Sequence, residues 1–318
     1  MSSAKQIIQR QGQVEVTASG RRFDQVVADL FPEFSRSRLQ QWIKSGQVTL
    51  DGEIKPAKYR VIGGEIVTVE AELVPEGEWR AEPIALDIVH EDDALIVINK
   101  PMGLVVHPGS GNHDGTLLNA LLYHAPQLEN VPRAGIVHRL DKDTTGLMVV
   151  AKTLKAHTDL VQQLQAREMH RQYEAVVQGV MTGGGEVEAR IGRHPQNRLK
   201  MAVLENGGKE AITHYRVLKR FHSHTHIRLQ LETGRTHQIR VHMAHIGYPL
   251  VGDSLYQGRG RVGKGLSVEL RQTLLNFPRQ ALHAIELGLY HPETGDECVW
   301  QTALPDDFAA LLVALEQG

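Results

Sequence analysis

The run His138-Arg139-Leu140-Asp141-Lys142-Asp143-Thr144-Thr145-Gly146 is the densest polar cluster in the chain. It lies between the apolar Gly135-Ile136-Val137 and a second apolar stretch that opens at Gly146. Two strand-like segments joined by a polar loop would hold Asp141 on a rigid scaffold, the usual setting of a reactive group. A carboxylate there can serve as nucleophile, base or metal ligand. It can equally close a turn, with Asp141 or Asp143 accepting backbone N–H groups. A second cluster runs from Thr233 to His242 and sets Arg240 between Ile239 and Val241, a strand-like setting that predicts an inward guanidinium. A buried arginine needs a carboxylate and a buried aspartate needs a cation, so Asp141 and Arg240 are candidates for each other. The segment from Arg171 to Ala175 adds Tyr173, either a core aromatic or a platform on which a base can stack.

Seventeen histidines raise the question of a metal. His222, His224 and His226 alternate and would share one face of a strand, with His237, His242 and His245 not far along the chain. There is no HExxH and no carboxylate at ligand spacing beside them, so a solvated strand face or phosphate contacts are expected rather than a metal. The single cysteine, Cys298, excludes a disulfide framework and any zinc site built on two thiolates, and fits a reducing cytosol.

The elements that must position these groups are legible in outline. A length of 318 residues predicts about two domains. Phe23, Val26, Val27 and Leu30 repeat with helical period, and Pro32 ends that helix. Ser35 is placed to cap a second helix from Arg36 to Ser45, whose Leu39, Trp42 and Ile43 face inward and leave Arg36, Arg38 and Lys44 outside. Asp51-Gly52 predicts a hairpin turn, and Glu65 to Val69 a further strand. Residues 1–18 carry no sustained pattern, and the acidic, proline-containing stretch from Glu70 to Pro83 is expected to be a linker. Beyond it, Leu95–Lys100 and Gly146–Lys152 predict buried strands, Gly115–His124 and Leu154–Arg167 helices, and Tyr173–Val180, Ala211–Leu218 and Ile227–Leu231 further strands. Strands and helices do not alternate strictly, which argues against a doubly wound nucleotide-binding fold and for an α+β class with a mixed or antiparallel sheet.

Charge separates the same regions. The net charge is −2, yet residues 131–264 hold 21 basic and 11 acidic side chains, while the flanks at 81–130 and 265–318 are each at −6. A basic surface on an acidic body can engage a phosphate backbone locally; a salt-bridged, solvated face is the plainer alternative. No apolar run reaches the ~18 residues of a membrane span and no signal-peptide core is present, so a cytoplasmic protein without a membrane partner is expected.

At these residues the sequence resembles the RluA-type family of RNA pseudouridine synthases with an S4-type RNA-binding domain ahead of it. The resemblance rests on Val137–Lys152, Arg171–Ala175, Thr233–His242, Ile98–Gly109 and Tyr248–Asp253 for the large part. For the small part it rests on the stretch from Arg21 to Glu53. It implies a small S4-like (αL-type) RNA-binding domain at 19–75, after a tail at 1–18. A linker at 76–84 and a catalytic domain at 85–318 would follow. It implies Asp141 as the essential aspartate, Tyr173 as the active-site tyrosine and Arg240 as the basic partner of the aspartate. Arg139 would fill the space of a flipped base and Ile239 would line the uracil pocket, with His138 and Thr145 also at the substrate. RNA contacts are expected from Arg36, Arg38 and Lys44, and from Arg193, Arg198 and Lys200. No metal and no organic cofactor is implied. The implied substrate is large-subunit (23S) ribosomal RNA, free or in a pre-ribosomal particle, at the uridines of the helix 69 stem-loop; nothing in the sequence demands more than a monomer. Two alternatives stand beside this: the same chemistry on another rRNA or tRNA site, and a non-catalytic RNA-binding assembly factor.

Overall fold

A computed structural model describes residues 7–32, 34, 36–72, 79–109, 112–257 and 265–318. The proposed cap at Ser35, part of the linker (76–78) and most of the glycine- and arginine-rich loop (258–264) lie outside the described residues. Two main hydrophobic cores form, one before residue 72 and one after residue 84.

In the first unit, α1 (Phe23–Leu30) and α2 (Arg36–Lys44) pack on strands β1 (Ile7–Gln13), β2 (Val48–Leu50) and β3 (Ile66–Glu72), ordered β1-β3-β2. Phe23, Val26 and Val27 from one helix and Leu39, Trp42 and Ile43 from the other are buried, as their spacing requires. The edge of Phe34 meets the Trp42 ring at 5.0 Å. Three expectations are corrected. Residues 7–13 are a strand, not a tail: Ile8 alone enters the core, and ladder hydrogen bonds to β3 rather than an apolar pattern hold the rest. β3 continues to Glu72 because Ala71 is buried beneath that pairing, so the linker begins later than Glu70. After the left-handed Asp51 and Gly52 the chain makes only one bridge, Leu50 to Glu53, and β2 pairs with β3 instead.

The second unit carries strands β4 (Ile88–Glu91), β5 (Leu95–Lys100), β6 (Thr145–Ala151), β7 (His170–Gln178) and β8 (Gly185–Glu188). A short hairpin of β9 (Ile191–Arg193) and β10 (Met201–Val203) precedes β11 (Ile212–Arg220) and β12 (His224–Leu231), and β13 (Leu282–Tyr290) and β14 (Glu297–Gln301) follow late in the chain. Its helices are α3 (Leu117–His124), α4 (Leu154–Ala166), α5 (Gln238–His245), α6 (Val268–Asn276) and α7 (Asp306–Gln317). The nine-stranded sheet is ordered β4-β5-β6-β13-β7-β12-β11-β8, with β14 on β13, and only β6 and β13 run parallel. The long-range closure is β13, which inserts between β6 and β7 so that residue 145 and residues 173–174 flank His283 and Ala284 from opposite sides. Gly146 allows it. A Cβ there would come within 2.2 Å of the Ala284 carbonyl oxygen, and its φ of +113° suits glycine alone.

Leu154, opening α4, packs against the first unit's core. One turn on, His157 is pushed down to a pKa of about 4 by burial and by the nearby charges of Arg38 and Arg133. Arg38 of the small unit and Arg133 of the large one thus share a neighbourhood.

Candidate active site

The loop that carries Asp141 is pinned from below. Lys100, almost fully buried, donates from Nζ to the carbonyl oxygens of Pro101, Leu104 and Lys142 at 2.7, 3.0 and 2.9 Å. The backbone turns at Asp141, whose carbonyl accepts from the Thr144 amide at 3.1 Å. Thr144 Oγ1 accepts from Gln280, and Thr145 bonds His283 on the neighbouring strand at 2.8 Å. The turn is closed by the backbone carbonyl of residue 141 rather than by a carboxylate of Asp141 or Asp143.

The Asp141 carboxylate meets Arg240. Nη1 of Arg240 donates to Asp141 Oδ2 at 2.9 Å. Arg240 lies in helix α5, not a strand; Gln238 to Met243 are all buried, so most of the helix shows no apolar-polar periodicity and its flanking apolar residues imitate a strand. The turn into α5 is set by Gln238, whose amide bonds Thr233, Arg235, Ile212 and Thr213 within 3.0 Å. His237, immediately before it, is held left-handed at φ 56°. Its Nε2 lies 3.9 Å from Asp141 Oδ1 and its Nδ1 2.8 Å from the Tyr256 hydroxyl. That hydroxyl also accepts the Met201 amide at 2.8 Å.

Three of these groups escaped the sequence reading. Asp253 takes two further bonds from Arg240, Nε at 2.7 Å and Nη2 at 2.9 Å, and is 0% exposed. Tyr256 lies under the guanidinium at 5.1 Å, and His237 completes the set. Burial disfavours the charge on Arg240, but the two aspartates outweigh it and raise its pKa further above the usual arginine range. The rule that a buried arginine needs a carboxylate was sufficient to predict a partner; it did not count the five donors that call for a second.

Asp141, Tyr173 and Arg240 open on one cleft of about 610 Å³, whose walls also include His138, Arg139, Ile239, Thr144 and Arg171. Tyr173 is 5% exposed, part of the core and part of the cleft wall. Arg139 is exposed at the rim. His138 accepts the Val149 amide at Nε2, 3.1 Å, and burial, with Arg171 nearby, drives its pKa down to about 3. It is a neutral strut that also touches the cleft. Thr145 differs from expectation: its hydroxyl is turned to His283, and Thr144 is the threonine on the cleft wall. Arg193 and Arg198 are exposed on the β9–β10 hairpin, and Lys200 reaches over the Tyr256 ring at 5.9 Å, which ties that hairpin to the site. Arg36 and Lys44 are exposed on α2, and Arg38 is half-buried beside Trp42.

The alternating histidines are also corrected. His224 and His226 are buried, bonded to Ser223 and Glu174, because both faces of β12 are covered. Among the described residues no group of three or more His, Cys, Asp or Glu side chains is arranged to hold a metal ion.

A mixed sheet with an Asp–Arg pair, a tyrosine and an apolar wall in one cleft, preceded by a separate two-helix unit, defines a class. The chain belongs to the RNA pseudouridylate synthase family: residues 94–245 match that family and residues 21–67 match the S4 domain. It is an RNA pseudouridine synthase, an isomerase. Among its relatives, the ribosomal large subunit pseudouridine synthase D of Pseudomonas aeruginosa is 60% identical over 98% of this chain and 97% of its own length. The protein of the same name from Yersinia pestis is 55% identical over 98% and 96%. The solved structure of human RNA pseudouridylate synthase domain containing 4 shares the fold at a TM-score of 0.56 and 29% identity, covering 72% of this chain and 92% of that one.

Proposed function

We propose that this protein isomerises uridines of large-subunit (23S) ribosomal RNA, in the helix 69 stem-loop, with Asp141 as the essential group. The large-subunit RNA follows from the relatives' name, carried at 52–60% identity over nearly the whole chain, and the helix 69 position from the family resemblance alone. The role of Asp141 is carried by one observation: Oδ2 is held by Arg240 at 2.9 Å while Oδ1 has no bond shorter than the 3.9 Å approach of His237 among the described residues.

Pseudouridine formation breaks the bond from C1′ to N1, turns the uracil and rejoins it through C5, with no change of oxidation state. The base must leave its stack to enter the cleft, which favours loop nucleotides. Asp141 Oδ1 then attacks C1′ or removes the 2′ proton to give a glycal. Arg240 keeps the carboxylate ionised in either case. Tyr173 stacks on the uracil and its hydroxyl takes the C5 proton at the end. Ile239 walls the pocket, Arg139 occupies the vacated stack, and His138 with Thr144 braces the substrate side of the loop.

The small unit delivers the RNA. Arg36 and Lys44 face outward on α2, and Arg38 lies near Arg133 on the cleft rim, so positive charge runs from one unit to the site. Arg193, Arg198 and Lys200 extend it on the far side. We place the S4-type unit at residues 7–75, the linker at 76–84 and the catalytic domain at 85–318, acting as a monomer in the cytoplasm. No helix of the described residues is long and apolar enough to cross a membrane. Mapping pseudouridine across ribosomal RNA from cells with and without the gene tests the target: the helix 69 positions should lose the modification. Retention there with loss elsewhere would move the enzyme to another RNA site.

A further inference from the structure

Arg171 enters the cleft from β7, two residues before Tyr173, and is only 6% exposed. Its Nε is buried without a hydrogen-bond partner, and its side chain has no ion pair or hydrogen bond to any described residue. Every other deeply buried arginine in the described residues is answered: Arg240 by two aspartates, Arg279 by Asp307 and two carbonyls. A guanidinium taken out of water with no anion is costly, and burial already pulls its pKa down. Gly234 stands next to the fork, where a Cβ would come within 2.8 Å of Nη1. A cation so prepared is matched to a negative oxygen that arrives with the substrate.

Two oxygens of an RNA qualify, a backbone phosphate and a carbonyl oxygen of the base once its charge has developed. Depth separates them. The exposed Arg133 and Arg139 already stand at the rim where a backbone would pass, whereas Arg171 shares the inner wall with Tyr173. We propose that Arg171 binds the detached uracil, donating to the oxygen that carries its negative charge after the C1′–N1 bond has broken. The proposal rests on the cleft being the site of uridine cleavage. The electron pair of the C1′–N1 bond leaves with N1 and spreads onto the carbonyl oxygens, giving a uracil anion. C1′ is meanwhile taken up as an ester of Asp141 or, with loss of the 2′ proton to Asp141, as a glycal. Arg171 donates hydrogen bonds and transfers no proton. When C5 bonds to C1′, the Asp141 ester oxygen leaves as carboxylate, or Asp141 returns the 2′ proton to the glycal, so the charge on the base and its hold on Arg171 vanish together. The C5 proton then passes to the Tyr173 oxygen while the hydroxyl's own proton is relayed through water to N1. The same interaction would tether the free base while it turns.

The test uses the full chain and a large-subunit RNA fragment carrying uridine or 5-fluorouridine at the target position. The fluorinated base is more acidic and needs less help to leave. First-turnover loss of the target nucleoside is followed by mass spectrometry, and RNA affinity is measured against salt, for wild type, Arg171→Gln and Gly234→Ala. Arg171→Gln is expected to slow uridine cleavage by about 100-fold, as loss of one oxyanion donor does. The slowing should fall well below that on 5-fluorouridine, with affinity unchanged. Gly234→Ala, which displaces the fork and keeps the charge, should show a smaller defect of the same pattern, and serves if Arg171→Gln fails to fold. An equal defect on both bases, or none, overturns the proposal. Weakened affinity with a salt slope shallower by about one contact would make Arg171 a phosphate site instead. Failure of wild type to convert uridine in this fragment, or full activity in Asp141→Asn, overturns the reading of the cleft itself.

Discussion

Arg240 and Asp253 are joined by two parallel hydrogen bonds, Nε to Oδ2 at 2.7 Å and Nη2 to Oδ1 at 2.9 Å, with Asp253 fully out of solvent. The fork leaves a single nitrogen, Nη1, for Asp141. Asp253 therefore orients the cation that orients the reactive carboxylate, and its Oδ1 also accepts the amides of Leu255 and Tyr256. Asp253→Asn is expected to lower turnover about 100-fold through a misplaced Arg240. Removing one charge of such a pair also costs about 3–5 kcal/mol of stability. Single-turnover kinetics and urea denaturation on the same sample check both; wild-type turnover at reduced stability would make Asp253 a purely structural residue.

Tyr173→Phe keeps the stacking face and removes the hydroxyl. Burial raises the pKa of that hydroxyl, and the nearby Arg171 opposes the rise. RNA should bind as tightly as before, with the reaction halted after glycosidic cleavage and an enzyme-bound intermediate trapped. Normal turnover would show that the C5 proton leaves by another route.

What the sequence disclosed and what it hid follow from physical causes. The Asp141 loop was legible because a dense polar run between two apolar runs is the pattern of a polar loop on a buried scaffold, and α2 because Leu39, Trp42 and Ile43 repeat at helical spacing. The pairing of Asp141 with Arg240 followed from charge compensation alone and is found at 2.9 Å. The secondary structure of Arg240 was misassigned because Gln238 to Met243 are buried whichever way they face and periodicity carries no signal there. Ile7–Gln13 was missed since an edge strand held by backbone bonds needs little apolar pattern. Asp253 and Tyr256 were not read as site residues because the pairing of residues 249–251 with β7, rather than any local pattern, returns the chain after α5 to Arg240.

Acid should destabilise the fold before the carboxylates titrate. His224, His242 and His283 are buried and each is pushed down to a pKa of about 4, by burial first. The unfolded chain takes up these protons near pH 6.5 and the native state does not. The stability they contribute is therefore complete above about 6.5 and is lost as pH falls towards 4. At pH 5 the loss is on the order of 1–2 kcal/mol for each histidine. Urea midpoints measured from pH 7.5 to 5 should fall steadily; a flat profile over that range would contradict the buried, neutral state of these rings.

Deleting residues 1–80 removes Arg36, Arg38 and Lys44 and leaves Asp141, Tyr173 and Arg240 together. The truncated enzyme should bind ribosomal RNA more weakly, with a salt slope shallower by roughly 0.9 for each lost duplex contact, and retain some activity at high RNA concentration. Superimposable salt curves would leave the small unit without an RNA role. A control is required because Leu154 loses its cover in the truncation, so the thermal midpoint of the remaining domain must be recorded alongside.

The central claim is that the free oxygen of Asp141 performs the chemistry while Arg240 holds the other. Asp141→Asn preserves shape and the Oδ1 position but removes the charge that Arg240 pairs with at 2.9 Å. Release of tritium from RNA labelled at C5 of uridine measures the reaction directly. The variant should bind the RNA with near wild-type affinity and release no tritium above background, even at enzyme in excess over RNA. Release within tenfold of the wild-type rate would contradict the assignment of Asp141.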